Sequence, residues 1–420
     1  MRQYDRLDEQ PWWTPLTRLW CGAAVLGIGA SLWAFWLTYD DARDRAASER
    51  QIAEACGGLV SGEDLMDLRG GMVRAKPDTS REVDPQYPPG VCRIYRVPEP
   101  GKSDGLLTLA LRTISETTPL HSVGDDIGSE PFDYFGHEEQ AEDEGDVTRQ
   151  ADRTEGQPLG DGTLGVYGAD FVTVRADCAP AASDSVPDLL TVTARADYEE
   201  VSDEDVSRLA DITHKAAAAA AGELGCDVRL RALPTNLDPV SRTLKTATAA
   251  HDSCAWYSRY IKHSGRGHLP DRALEVPTAS RSTEEPCLLA VSPAAVRAMR
   301  NLTGEGLKYA DSALTHFPWW MRTVSYFGPD ARSVGYDDAF NGDGHLEAGT
   351  AGINEGAEVL WASSTCQGKP ALHTLTISYT YGLVILDRAK SLFRAYVDDI
   401  AERRDCMDVR FPTDKDFDGH

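Results

Sequence analysis

Leu190-Thr191-Val192-Thr193 returns later in the chain as Leu375-Thr376-Ile377-Ser378. Apolar and hydroxylic residues alternate in both, the period of a strand with one apolar face. The alternation around the second copy is longer. Leu375, Ile377, Tyr379 and Tyr381 fall on one side, and Thr374, Thr376, Ser378 and Thr380 on the other. This reads as an antiparallel sheet covered on one face. The cysteines repeat in the same sense. Cys56, Cys92, Cys178 and Cys226 correspond to Cys254, Cys287, Cys366 and Cys406, at steadily shortening intervals. Cys226-Asp227-Val228-Arg229-Leu230 is echoed by Asp408-Val409-Arg410-Phe411 just after Cys406. The chain therefore reads as two copies of one module.

Each copy has the same predicted order of elements. A helix opens it, Asp44 to Leu68 in the first and about Ser241 to Lys262 in the second, with Gly57 and Gly58 expected to break the former. A strand from Cys92 to Val97 pairs with Leu107 to Arg112 across a glycine-flanked turn. Phe171 to Val174 matches Val359 to Ala362, and the Leu-Thr strand follows. A closing helix begins after Ser202, a candidate cap with Asp205 three residues on, and runs through Ala216 to Ala221. Its counterpart runs from about Asp387 to Arg404, with Leu392, Tyr396, Val397 and Ile400 as the apolar stripe. The fold class is α+β: two tandem, duplicated, disulfide-braced modules, each an antiparallel sheet with helices on one face. The expected boundaries are 44–235 and 236–413, followed by a tail at 414–420. Four cysteines allow three connectivities per module. Pairing Cys56 with Cys92, Cys178 with Cys226, Cys254 with Cys287 and Cys366 with Cys406 keeps every loop local and alike in both copies.

From Leu19 to Tyr39 there is no charged residue. Twenty-one helical residues span about 31 Å, the thickness of a bilayer core. Trp12, Trp13 and Trp20 bracket one end, and Trp33, Trp36 and Tyr39 the other, as an interfacial belt. The bulky and charged residues that follow lack the small-residue pattern of a cleaved signal peptide. Cys21 follows Trp20 at the start of the run, whereas a lipoprotein cysteine follows a small residue near the end of its apolar run, so lipoprotein-type attachment is not expected. Arginines flank both sides almost equally, so charge does not orient the helix. The cysteines do, since paired thiols belong to an oxidising compartment. Residues 1–18 are expected to be a cytoplasmic tail, 19–39 the single transmembrane helix of a cell-membrane protein, and the rest extracytoplasmic. Ala23, Gly27 and Ser31 recur at every fourth position, a spacing that lets helices approach closely and suits a homodimer or a membrane partner.

The formal net charge is −25, which argues against nucleic acid as a partner and against electrostatic adhesion to anionic lipid. Much of the acidity is local. Residues 125–155 hold twelve carboxylates against two arginines, a net of −10, without an equivalent in the second copy. The wider segment 121–160 reads as a solvated acidic loop inserted into the first module.

A membrane anchor, a cysteine-terminated helix with Ala55-Cys56, and a strand opened by Val91-Cys92-Arg93, in a chain rich in Ala, Asp and Arg, resemble actinobacterial cell-envelope proteins. The resemblance implies a location more than an activity, and the lipid-attachment motif of those proteins is missing.

A search for chemistry yields little. His137-Glu138-Glu139-Gln140 starts like a zinc-protease helix but has Ala141 where the second histidine belongs. His263 and His268 flank a glycine-rich loop, Asn341-Gly342-Asp343-Gly344 is a turn cluster, and Asp414 to Gly419 copies half a calcium loop without its closing glutamate. The cysteine spacings do not suit zinc. No catalytic residue, cofactor or metal is expected. Trp319 and Trp320, in Phe317-Pro318-Trp319-Trp320-Met321, suit either a buried strand or an exposed contact for an envelope partner. These features favour a binding or scaffolding protein. A sensor acting on a membrane partner is the alternative, and an extracytoplasmic hydrolase comes after it.

Overall fold

The computed structural model describes residues 15–78, 83–99, 101–114, 119–124, 131–132, 146–178, 187–226, 228–299, 306–315, 317–337, 344–354 and 358–418. One helix of 41 residues, Pro15–Ala55, replaces the two separate helices expected at 19–39 and 44–68. Asp40, Asp41, Arg43 and Asp44 end the apolar composition without ending the helix, because charged side chains cost little on a solvated helical face. The apolar part of this helix is long enough to cross a membrane, and none of it is buried in the protein. The last turns are different. Ser48, Ile52 and Ala55 enter the first core. Arg45 pairs with Glu49 at 3.0 Å and Asp67 at 2.6 Å, and Arg74 with Asp44 at 2.6 Å. The Ser48 hydroxyl accepts the Ala75 N–H at 3.2 Å. Gly57 and Gly58 then stop the helix at positive φ, and a Cβ on Gly57 would lie 2.4 Å from the Val83 carbonyl oxygen.

Two mixed layers follow. The first sheet has the strand order 75–77, 90–96, 104–113, 189–196, 171–177, 165–167, 157–158. Its neighbours pair antiparallel, with Cys92 opposite Leu109 and Leu109 opposite Ala194. The helix Asp203–Glu223 lies over its central strands. Ser202 caps that helix by accepting the Asp205 N–H at 3.1 Å. Ala216, Ala217, Ala220 and Ala221 are all buried, so small side chains let this helix lie close to the strands. The second sheet has the order 352–353, 359–366, 369–377, 320–327, 284–290, 272–275, 245–246, with Cys406–Arg410 added beside 359–366. The helices Ala255–Ser264 and Tyr379–Arg403 pack together over it. Trp256, Tyr257, Phe393, Tyr396 and Val397 fill that core.

Four disulfides brace these layers: Cys56–Cys92, Cys178–Cys226, Cys254–Cys287 and Cys366–Cys406. Cys21 is free and exposed. Removing the Cys254–Cys287 bridge with a paired serine substitution should lower stability by about 2–4 kcal/mol, read as a lower denaturant midpoint. An unchanged midpoint would show that the bridge constrains nothing in the unfolded chain.

Several expected elements shift. The helix expected from Ser241 is confined to Ala255–Ser264. Lys245–Thr246 is instead an edge strand, and Cys254 sits at the helix N-terminus. The Thr-rich sequence before it supports extended backbone better than helix. The closing helix begins at Tyr379, not Asp387, with Ser378 at its N-cap position. Tyr379 and Tyr381 therefore belong to the helix and not to the strand, which ends at Ile377.

The larger correction concerns the second sheet's hydroxylic face. Thr374 and Thr376 are buried, so this sheet is covered on both sides. Part of the cover comes from the segment expected to be a solvated insertion, and part from residues 331–337 and 344–346. His121–Gly124 pairs in parallel with Val334–Asp337, which pairs antiparallel with Gly344–Leu346. Val123 packs there with Val324, Tyr326, Val334, Leu346 and Leu372. Phe132 and Ala151 join Leu288, Ala290 and Trp320 in a neighbouring cluster. The most acidic stretch, 133–145, lies outside the described residues. At the other end of the chain, residues 414–418 are not a loose tail. They form a short helix whose Phe417 packs against the second core.

Candidate functional site

Strand 171–177 places Val172, Val174 and Ala176 in the first core and turns Thr173, Arg175 and Asp177 the other way. That polar face meets the second sheet through buried charge. Arg175 is 5% exposed and pairs with Asp330, which is 4% exposed, and with Asp177 at 2.8 Å. His121 Nε2 lies 2.9 Å from Asp330, and its Nδ1 3.8 Å from Glu284. Glu155 accepts from Arg322 Nε at 2.8 Å and Nη2 at 2.7 Å. Burial alone would raise the Asp330 carboxyl, but Arg175 and His121 outweigh it and hold it below the ordinary carboxylate range. Burial raises Glu284, against the opposing pull of His121 and Arg322. His121, Glu155 and Arg175 come from the first half, and Glu284, Arg322 and Asp330 from the second. The two sheets are thus joined by ion pairs as well as by apolar contact.

Beside this junction lies a cleft of about 300 Å³. Arg175, Asp177 and Thr163 line one side. The segment 280–283, the corner Phe327-Gly328-Pro329, the hairpin at Cys366 to Lys369, and Arg404 line the other. Gln367 and Gly368 both have positive φ, which suits a two-residue hairpin turn and sets Lys369 at the rim. Arg404 follows the closing helix and is 6% exposed. It donates to Glu285 at 2.9 Å and to the Ser280 carbonyl at 2.5 Å, and its guanidinium stacks 4.4 Å from the Phe327 ring centre.

One buried group resembles catalytic machinery. His373 Nδ1 lies 2.7 Å from the Ser325 hydroxyl and Nε2 lies 2.8 Å from Ser364. Ser325 in turn bonds Tyr396 at 2.6 Å. Both imidazole nitrogens are occupied by hydroxyls and no carboxylate orients the ring, so the arrangement is not a nucleophile–base–acid triad. His373 and Ser325 are fully buried, out of a substrate's reach. This is a core polar network. No local motif announces it, because its members come from three strands and a helix.

The residues singled out from sequence are dispersed. Trp319 and Trp320 are 0% and 3% exposed, which corrects their reading as partner contacts. Trp319 stacks on Tyr381 and donates to Thr380 at 3.1 Å, so the aromatic run anchors the core. Ala23, Gly27 and Ser31 lie on the unburied helix, where the Ser31 hydroxyl bonds its own helix at the Gly27 carbonyl. Among the described residues no cluster of His, Cys, Asp and Glu is arranged to hold a metal. His268 contributes only its carbonyl, to the Tyr381 hydroxyl at 3.0 Å. Asp414 pairs with Lys390, and Asp416 caps Thr413, so the half calcium loop is a helix start. His137 to Gln140 and Asn341 to Asp343 lie outside the described residues. No family model, curated protein or solved structure matches the chain.

Proposed function

We propose that this chain is a single-pass, membrane-anchored extracytoplasmic envelope protein whose body binds or scaffolds a partner, without catalysis. The observation that carries this reading is the continuous helix Pro15–Ala55. It is apolar and unburied where it would cross a bilayer, and its last turns enter a body closed by disulfides. Disulfides indicate an oxidising compartment, so the N-terminus is assigned to the cytoplasm. The resemblance of Ala55-Cys56 and Val91-Cys92-Arg93 to actinobacterial envelope proteins supports an envelope location in this reading.

The body is, in this reading, two copies of one module. Strands 75–77, 90–96, 104–113, 189–196, 171–177 and 165–167 follow the same spatial order as 272–275, 284–290, 320–327, 369–377, 359–366 and 352–353. The bridges support it too, since each copy joins its second cysteine's strand to the first cysteine nearby. The helix positions argue for divergence after duplication: Cys56 follows its helix, whereas Cys254 precedes its own.

A membrane-impermeant lysine reagent tests the orientation in intact cells expressing an N-terminally tagged chain. Lys102, with a side chain 69% exposed, should be labelled without lysis, and the tag should become accessible only after it. The opposite pattern would overturn the assignment. The unbroken helix also favours the second reading, a sensor, because a stiff rod would couple the body to neighbouring helices. Exchanging residues 19–39 for an unrelated anchor should then abolish the effect on that partner, whereas pure tethering would survive the exchange.

A further inference from the structure

The lining of the cleft between the sheets holds more cations than carboxylates, although the chain as a whole is acidic. The protein carries 67 acidic residues against 42 basic ones. The cleft lining nevertheless gathers Arg175, Arg281, Lys369 and Arg404 with a single carboxylate, Asp177. A lining drawn at random from this composition would be acidic. The cations come from both halves of the body, so the fold assembles them.

They form two tiers. Arg175 and Arg404 are the inner pair, 5% and 6% exposed. Asp330 and Glu285 are buried against them, which offsets their desolvation and fixes the guanidinium planes. Arg175 uses Nε and Nη2 on Asp177 and Nη1 on Asp330. Arg404 uses Nε and Nη2 on Glu285 and Nη1 on Ser280. A guanidinium has about five N–H donors, so these contacts leave roughly two on each. Arg281 and Lys369 form the outer pair. Arg281 reaches only Asp161, at a long 3.5 Å. Lys369 is exposed and has no ion-pair partner among the described residues. The hydroxyls of Ser280 and Thr283 and the Gln367 amide add neutral hydrogen-bonding groups, and Phe327 and Pro329 supply an apolar wall.

We propose that this cleft binds a small anion, a phosphate- or carboxylate-bearing molecule of about a sugar's size. Arg175 and Arg404 form the preorganised floor, and Arg281 and Lys369 make the outer contacts. Donors already fixed in place lose little entropy on binding, and a volume of about 300 Å³ lies at the small end of ligand sites. This inference rests on the reading of the body as a binding module, and it names the class of ligand.

The test is calorimetric titration of the full-length protein in detergent with inorganic phosphate and, separately, succinate, at fixed ionic strength. Saturable binding of one anion per chain is expected. Phosphate alone binding would identify a phosphorylated source, succinate alone a carboxylic acid, and both would make charge the recognised feature. The paired substitution Arg281→Glu with Lys369→Glu should weaken binding by about tenfold or more, while Lys369→Arg should retain it. Both positions are exposed, so an unchanged unfolding midpoint will show that the variant is folded. The proposal is overturned if neither anion saturates up to about 10 mM, or if the double reversal leaves affinity unchanged. Lysine labelling reports the topology independently, so failure here would leave the membrane assignment standing.

Discussion

Replacing Glu285 with alanine should destabilise the two-sheet body by about 3–5 kcal/mol. Glu285 is 2% exposed and sits on a central strand of the second sheet. Its Oε2 accepts Nε and Nη2 of Arg404 at 3.1 and 2.9 Å. Arg403 Nη1 lies 2.7 Å from Oε1, yet Oε1 has no properly aligned hydrogen bond. The Arg403 contribution is therefore Coulombic attraction more than a directed bond. Removing the carboxylate leaves Arg404 desolvated, with only the Ser280 carbonyl and the Phe327 ring for compensation. Arg403 suffers less, because Asp399 at 2.8 Å remains. A double variant, Glu285→Leu with Arg404→Met, should be milder than the single one, since no buried charge is stranded. Denaturant unfolding of the three proteins checks this. A single variant within about 1 kcal/mol of the parent would show that water already solvates the pair. The same measurement bears on the cleft, because Glu285 holds one of its floor arginines in place.

How far such features can be read from residue order depends on how local they are. The cysteine pairing is legible because a disulfide needs only two marked residues, and loop closure favours near partners. The Leu-Thr strands are legible because a period of two survives any context. The same period misleads at Tyr379 and Tyr381. Two more alternating residues are equally compatible with a helix start, and the buried positions Tyr381, Ile385, Leu392 and Tyr396 decide for the helix. Threonines on a strand signal a solvated face only if nothing lies over it. Here His121–Gly124, Phe132 and Ala151 lie over it, and only the tertiary fold brings them there. The acidic composition of 121–160 hid this, because its charged middle outweighs the apolar residues at its ends. The cleft is the extreme case. Its cations stand at 175, 281, 369 and 404, far apart along the chain, and none belongs to a motif.

Acid should destabilise the body from about pH 6.5 downward, with His373 a principal cause. Burial depresses this imidazole from its ordinary 6.5 to about 3. In the folded protein it therefore stays neutral, with both nitrogens satisfied by Ser325 and Ser364. In the unfolded chain it protonates below pH 6.5. Because the folded value is depressed, the stability is present above 6.5 and declines as pH falls toward 3. The slope is about 1.4 kcal/mol per pH unit, close to 5 kcal/mol over the whole window. Two other groups act nearby. Asp330, held below its ordinary 3.8, adds a loss of the same sign at still lower pH. Glu284, raised above its ordinary 4.5, acts in the opposite sense and gains stability as it takes up a proton. A His373→Gln variant separates these contributions, because glutamine can bond the same hydroxyls and does not titrate. Unfolding free energies of parent and variant, measured from pH 7.5 to 4.5, should converge as pH falls, the parent losing about 2–3 kcal/mol more. Parallel curves would mean that His373 gains its proton as readily in the folded body as in the unfolded chain, and that water or a rearranged Ser325–Tyr396 pair reaches the ring.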